Sequence, residues 1–172
     1  MALPFYVVAA TVVGLSVKDI GILLAAQTAG SLVSNAPWGR IGDRYGKLAL
    51  LRAVGGLRFI PPLGALAIFA VATHIGAQAS LAAFAVLFVF IGALINGMTN
   101  GYLGYLMEIS PNEQRPAYSA YFNALASPAA LLPLAGAAIA DVSSLTVVFV
   151  VALLAAILQL ILYARLSRWE AE

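Results

Sequence analysis

Apolar runs, each near the length of a bilayer crossing and parted by short charged breaks, constrain this chain more than any other feature. A helical span needs about 20 mostly apolar residues, with a range of roughly 17–25. Such runs occupy residues 2–17, 20–38, 48–73, 81–107, 117–140 and 145–164. Strands of a membrane barrel would be about 10 residues long and alternate in polarity, which these runs do not. Lipid offers the backbone no hydrogen-bond partner, so each run is expected to be a helix. The expected fold is all-α: an integral membrane bundle of six transmembrane helices forming one domain over residues 1–172. Composition agrees, because 9% of residues are charged and 63% hydrophobic, whereas a soluble surface needs about 25% charge.

The charges between the runs set the orientation. On one side fall Arg40, Arg44, Lys47, Arg52, Arg115, Arg165 and Arg168, and on the other Lys18. The crowded side is expected to be cytoplasmic. The stretch 39–47 and the tail 165–172 then face the cytoplasm of a multi-pass plasma-membrane protein, a bacterial inner membrane being the natural host. The start is apolar and lacks the basic region and cleavage site of a secretory signal. Ile41-Gly42-Asp43 and Ile139-Ala140-Asp141, after the second and fifth runs, echo one another as a 3+3 inverted repeat would.

Several chemistries are excluded at this level. The basic residues lie in gaps rather than along one face, so no nucleic-acid partner is expected. Cysteine is absent and His74 is the single histidine, which leaves no metal site and no nucleophile–base pair. Residues 42–47 are one spacer short of a P-loop and lack its Ser or Thr. The chain is expected to be neither an enzyme nor a holder of cofactors. A rival class survives, a small six-span scaffold or channel working as a homo-oligomer.

The stretch Gly39-Arg40-Ile41-Gly42-Asp43-Arg44-Tyr45-Gly46-Lys47 packs four charges and three glycines between two apolar runs. Its glycines permit a tight reversal. Asp43 can sit at a helix N-terminus, where the macrodipole favours an anion, and Arg40 and Arg44 can pair with carboxylates. Spacing alone does not separate this reading from a plain topogenic loop. Glu108 closes the fourth run, and Arg115 opens the fifth after six intervening residues.

This arrangement resembles the major facilitator superfamily of secondary transporters. Residues 39–47 are similar to its loop motif, Gly-x-Leu-x-Asp-Arg-x-Gly-Arg-Lys, with Ile41, Lys47 and Leu48 as departures. Glu108 and Arg115 match its Glu-x6-Arg spacing. The resemblance implies a small-solute transporter working by alternating access. It also implies a conformational lock of Gly39, Arg40, Asp43, Arg44, Gly46, Lys47, Glu108 and Arg115, with Asp43 at a helix N-terminus and Arg40 paired to Glu108. The family is built from two six-helix halves. The short tail after the sixth run and the shortened first run are expected to mark this chain as the C-terminal half, truncated in its first helix. Its partners would then be the missing N-terminal half, membrane lipid and a small-molecule substrate.

In such a half the first and fourth helices line the central cavity, so Tyr6, Asn96, Thr99 and Asn100 are candidates for the substrate pathway. Asn96 and Asn100 share a helix face, and Thr99 lies three residues from Asn96. The alternative for them is hydrogen bonding between packed helices. Gln27, Ser31 and Asn35 form one polar stripe, Asn123 and Ser127 another. Both are expected at helix-packing contacts or at the interface between halves. Arg58 is the basic residue inside a run, expected to snorkel or to meet a helix carbonyl.

Overall fold

A computed structural model describes residues 3–169, and the side chains of residues 4–162. The basic residues Arg165 and Arg168 therefore lie outside the described side chains. Helices follow the apolar runs throughout: α1 Leu3–Val12, α2 Val17–Val33, α3 Asn35–Tyr45, α4 Lys47–Leu57 and α5 Ile60–Val71. They continue with α6 Ala77–Ile109, α7 Arg115–Ala126, α8 Leu132–Val142 and α9 Leu145–Trp169. Short 3-10 segments, Asn112–Gln114 and Ser127–Leu131, flank α7. The described residues contain no strand.

Among the described residues, four segments are long and apolar enough to cross a membrane: Lys47–Val71, Ala77–Ile109, Asn112–Val142 and Leu145–Leu162. The first helix is shorter than its apolar run because Gly14 adopts a φ of 95° and Ser16 starts a new helix. Ser16 accepts from the Asp19 N–H at 3.3 Å, and the Asp19 carboxylate accepts from the Ser16 N–H at 2.8 Å and hydroxyl at 2.6 Å. This reciprocal cap satisfies backbone groups that a helix start leaves open. The Ser16 hydroxyl bond, followed by the backbone bond, holds Asp19 below the usual carboxylate range.

Prolines explain two of the three interruptions within apolar runs. Pro61 and Pro62 lack the N–H groups that would bond residues 57 and 58, and the helix divides into α4 and α5 at Arg58 and Phe59. Pro128 likewise withholds a donor from Ala124. The Ser127 N–H and hydroxyl supply substitutes, both donating to the Ala124 carbonyl, the hydroxyl at 2.8 Å.

The basic stretch corrects the reading of residues 39–47 as a loop. Gly39 to Tyr45 continue α3, and the reversal is confined to Gly46, whose φ is 86°. Gly39 and Gly42 have no left-handed φ. Trp38 and Gly42, four residues apart, are buried while Arg40, Asp43 and Arg44 are exposed. This amphipathic face suffices to hold a helix against its neighbours.

The long α6, about 50 Å at 1.5 Å per residue, is the central pillar. One core cluster joins Tyr6, Leu23, Ile68, Phe84, Phe88 and Phe149 from α1, α2, α5, α6 and α9. A second joins Trp38, Leu50, Val54 and Leu94 from α3, α4 and α6. The tightest approach is α2 against α6. A Cβ on Gly30 would strike the backbone of Val89, and one on Gly92 would strike that of Gln27. Between lipid-solvated helices such van der Waals packing is a main source of association. The segment Asn112–Val142 contributes no buried residue within its most apolar window.

Candidate functional site

Three groupings of polar side chains stand out, and they divide the sequence candidates differently from their spacing. The first is the turn between α3 and α4. Lys47, the first residue of α4, donates to the exposed Asp43 carboxylate at 2.9 Å across the Gly46 reversal. Exposed ion pairs contribute about 0.2–1 kcal/mol. Its geometry carries more information than its energy. A Cβ on Gly104 would lie 2.9 Å from the Lys47 stem, so the lysine runs along α6. Glu108 is one turn beyond Gly104 on the same face. Arg44 lies over the ring of Tyr45, 5.4 Å from its centroid. Arg40 and Glu108 form no ion pair among the described residues, and Arg115 begins α7.

The second grouping is an amide cluster between α3 and α6. Asn96 Nδ2 donates to Asn35 Oδ1 at 3.0 Å and to Ser34 Oγ at 3.3 Å. Asn100 Nδ2 donates to Asn35 Oδ1 at 3.4 Å and to Asn96 Oδ1 at 3.5 Å. Asn35 returns its own amide to the carbonyls of Leu32 at 3.2 Å and Ser31 at 3.4 Å. At the one-residue break between α2 and α3, Ser34 shares those carbonyls, its hydroxyl donating to Ser31 O at 2.9 Å and its N–H to Leu32 O. Asn35 and Asn100 remain exposed, so the cluster bonds internally while presenting amide edges outward. Next along the stripe, Gln27 has a buried Oε1 without a hydrogen-bond partner. Ser31 is half-buried, whereas Asn123 and Ser127 are exposed on the α7 segment. Trp38 anchors the same region, donating to the Ala93 carbonyl at 2.7 Å.

The third is a cavity of about 610 Å³ bounded by Tyr6 of α1, Arg58, Pro61 and Pro62 at the α4–α5 break, and Ile91, Leu94, Ile95, Met98 and Thr99 of α6. Ala129 of the second 3-10 segment, Leu132 of α8, and Ala152, Ala156 and Gln159 of α9 complete it. Tyr6 and Thr99 thus share one cavity, whereas Asn96 and Asn100 belong to the amide cluster. Thr99 donates to Ile95 O at 3.0 Å, and Tyr6 stacks at 4.9 Å on Phe149.

Arg58 is the residue whose setting the sequence understated. It lies about 16 Å along the helix from Lys47, close to the middle of Lys47–Val71. An arginine at that depth costs roughly 2.5–3.5 kcal/mol on insertion scales. It is exposed and faces the cavity, and no ion pair joins it to a carboxylate among the described residues. Gln159 was also missed. It stands alone as a polar group between Thr146 and Tyr163 in an otherwise apolar run, and that isolation was the available signal.

No curated relative and no solved structure matches the chain. A family model does, over residues 1–171. With an all-helical membrane fold around it, the chain belongs to the Major Facilitator Superfamily, a family of membrane transporters.

Proposed function

We propose that the chain is one six-helix half of a secondary transporter that moves a small solute by alternating access. Taking α2–α3, α4–α5 and α7–α8 as single passes gives six crossings with α1, α6 and α9, arranged as a 3+3 inverted repeat. The observation that carries the reading is the α3–α4 turn. There Asp43 and Lys47 pair at 2.9 Å, and the lysine stem packs on Gly104, one turn before Glu108. A charge contact that holds two helices and is open to solvent can be exchanged at little cost as the halves rock.

In this reading Gly39, Arg40, Asp43, Arg44, Gly46, Lys47, Glu108 and Arg115 form the cytoplasmic lock. The tally of basic residues places that turn in the cytoplasm of a plasma membrane. The amide cluster of Asn96 and Asn100, with Tyr6 and Thr99, supplies the pathway. Gln27, Ser31, Asn35, Asn123 and Ser127 supply helix packing and the contact with a second half. Asp43→Asn in the intact transporter tests it: solute flux falls while membrane insertion is unchanged. Undiminished flux would refute the lock.

A further inference from the structure

We propose that the cavity at the α4–α5 break binds an amphipathic organic anion, its charged group held by Arg58 and its apolar body lying on α6. This rests on and deepens the transport reading, because Tyr6 and Thr99 of the proposed pathway line the cavity, and it adds Arg58 and the walls from α5 and α9. Its volume of about 610 Å³ falls in the range of about 300–1,000 Å³ that small-molecule sites occupy.

The lining divides by chemistry. Arg58, Tyr6 and Thr99 supply hydrogen-bonding groups, while Leu94 and Met98 represent the apolar remainder. A guanidinium at mid-span requires a counterpart, since lipid supplies none. The α4 C-terminus offers a partial charge of only about −0.5, and no described carboxylate pairs with Arg58. A carboxylate or phosphate would accept its forked N–H groups bidentately. The double proline that parts α4 from α5 is what turns Arg58 toward this space rather than leaving it in a continuous helix. Two sources share this charge chemistry, a dissolved anion and the headgroup of a bilayer lipid.

The test is equilibrium binding of radiolabelled octanoate at neutral pH to the intact protein in phosphatidylcholine nanodiscs, with empty discs subtracted. Saturable binding is expected, weakened about tenfold or more by Arg58→Gln and less by Arg58→Lys, which keeps the charge but not the fork. Met98→Trp, which fills the space but spares the charge, should also abolish it, so the test survives if Arg58→Gln fails to fold. Discs containing phosphatidylglycerol separate the sources. Displacement of octanoate by that lipid, dependent on Arg58, identifies the headgroup as occupant; no displacement identifies a dissolved anion. Absence of saturable binding, or binding unchanged in both Arg58→Gln and Met98→Trp, overturns the proposal. Flux is not measured, so failure here leaves the transport reading standing.

Discussion

Replacing Gly92 by alanine sets two effects of opposite sign against each other. Alanine in a helix interior is favoured over glycine by about 1 kcal/mol. A Cβ at Gly92, however, would strike the backbone carbonyl of Gln27 and approach the Ser31 nitrogen at 3.1 Å. Neither neighbour is a side chain that can rotate away, so α2 and α6 must separate. Overpacking costs typically about 1–3 kcal/mol, and a rigid backbone neighbour puts this site at the upper end. The net expectation is a loss of about 2 kcal/mol. Gly21, in α2 with nothing within 4 Å of a built Cβ, is the internal control and should gain about 1 kcal/mol on the same change. Reversible unfolding in mixed detergent–SDS micelles, followed by far-UV dichroism, measures both. A Gly92→Ala protein as stable as the parent would refute backbone contact between α2 and α6.

Three further outcomes follow from individual contacts. Trp38→Phe removes the donor to Ala93 and should destabilise by about 0.5–1.5 kcal/mol in the same unfolding assay, with little change in helix content. Ser127→Ala removes one of the two donors to the Ala124 carbonyl and leaves the Ser127 N–H, so it should cost no more than about 0.6 kcal/mol; a larger loss would mean that the N–H alone does not satisfy that carbonyl. Asp19 titrates below its ordinary value, so its cap stabilises fully above the unfolded pKa and is lost as pH falls through the folded one. Ser16→Ala should raise the Asp19 pKa toward ordinary, as carbon-detected NMR of the carboxyl would read.

Much of the architecture was legible because lipid forces apolar runs into helices, and because Pro61-Pro62 and Pro128 mark where those helices divide. The basic stretch was legible as chemistry but not as conformation. Glycine permits a reversal without requiring one, and burial of Trp38 and Gly42 keeps α3 helical to Tyr45. Periodicity placed Asn96 and Asn100 on a common face but could not name Asn35 as their partner, since that depends on how α3 lies against α6. The cavity was least legible of all. Its walls come from helices distant in sequence, so the space beside Arg58 exists only once they pack.

The central claim, alternating access controlled from the α3–α4 turn, is tested most directly by thiol accessibility. The chain has no cysteine, so a single Asn100→Cys thiol on the exposed amide cluster reports alone once any cysteines of the other half are replaced by serine. In the intact transporter, membrane-impermeant maleimide should reach it from either side in turn. Asp43→Asn, which removes the partner of Lys47, should raise labelling from the cytoplasmic side and lower it from the other. Labelling from one side only, unchanged by Asp43→Asn, would contradict the account.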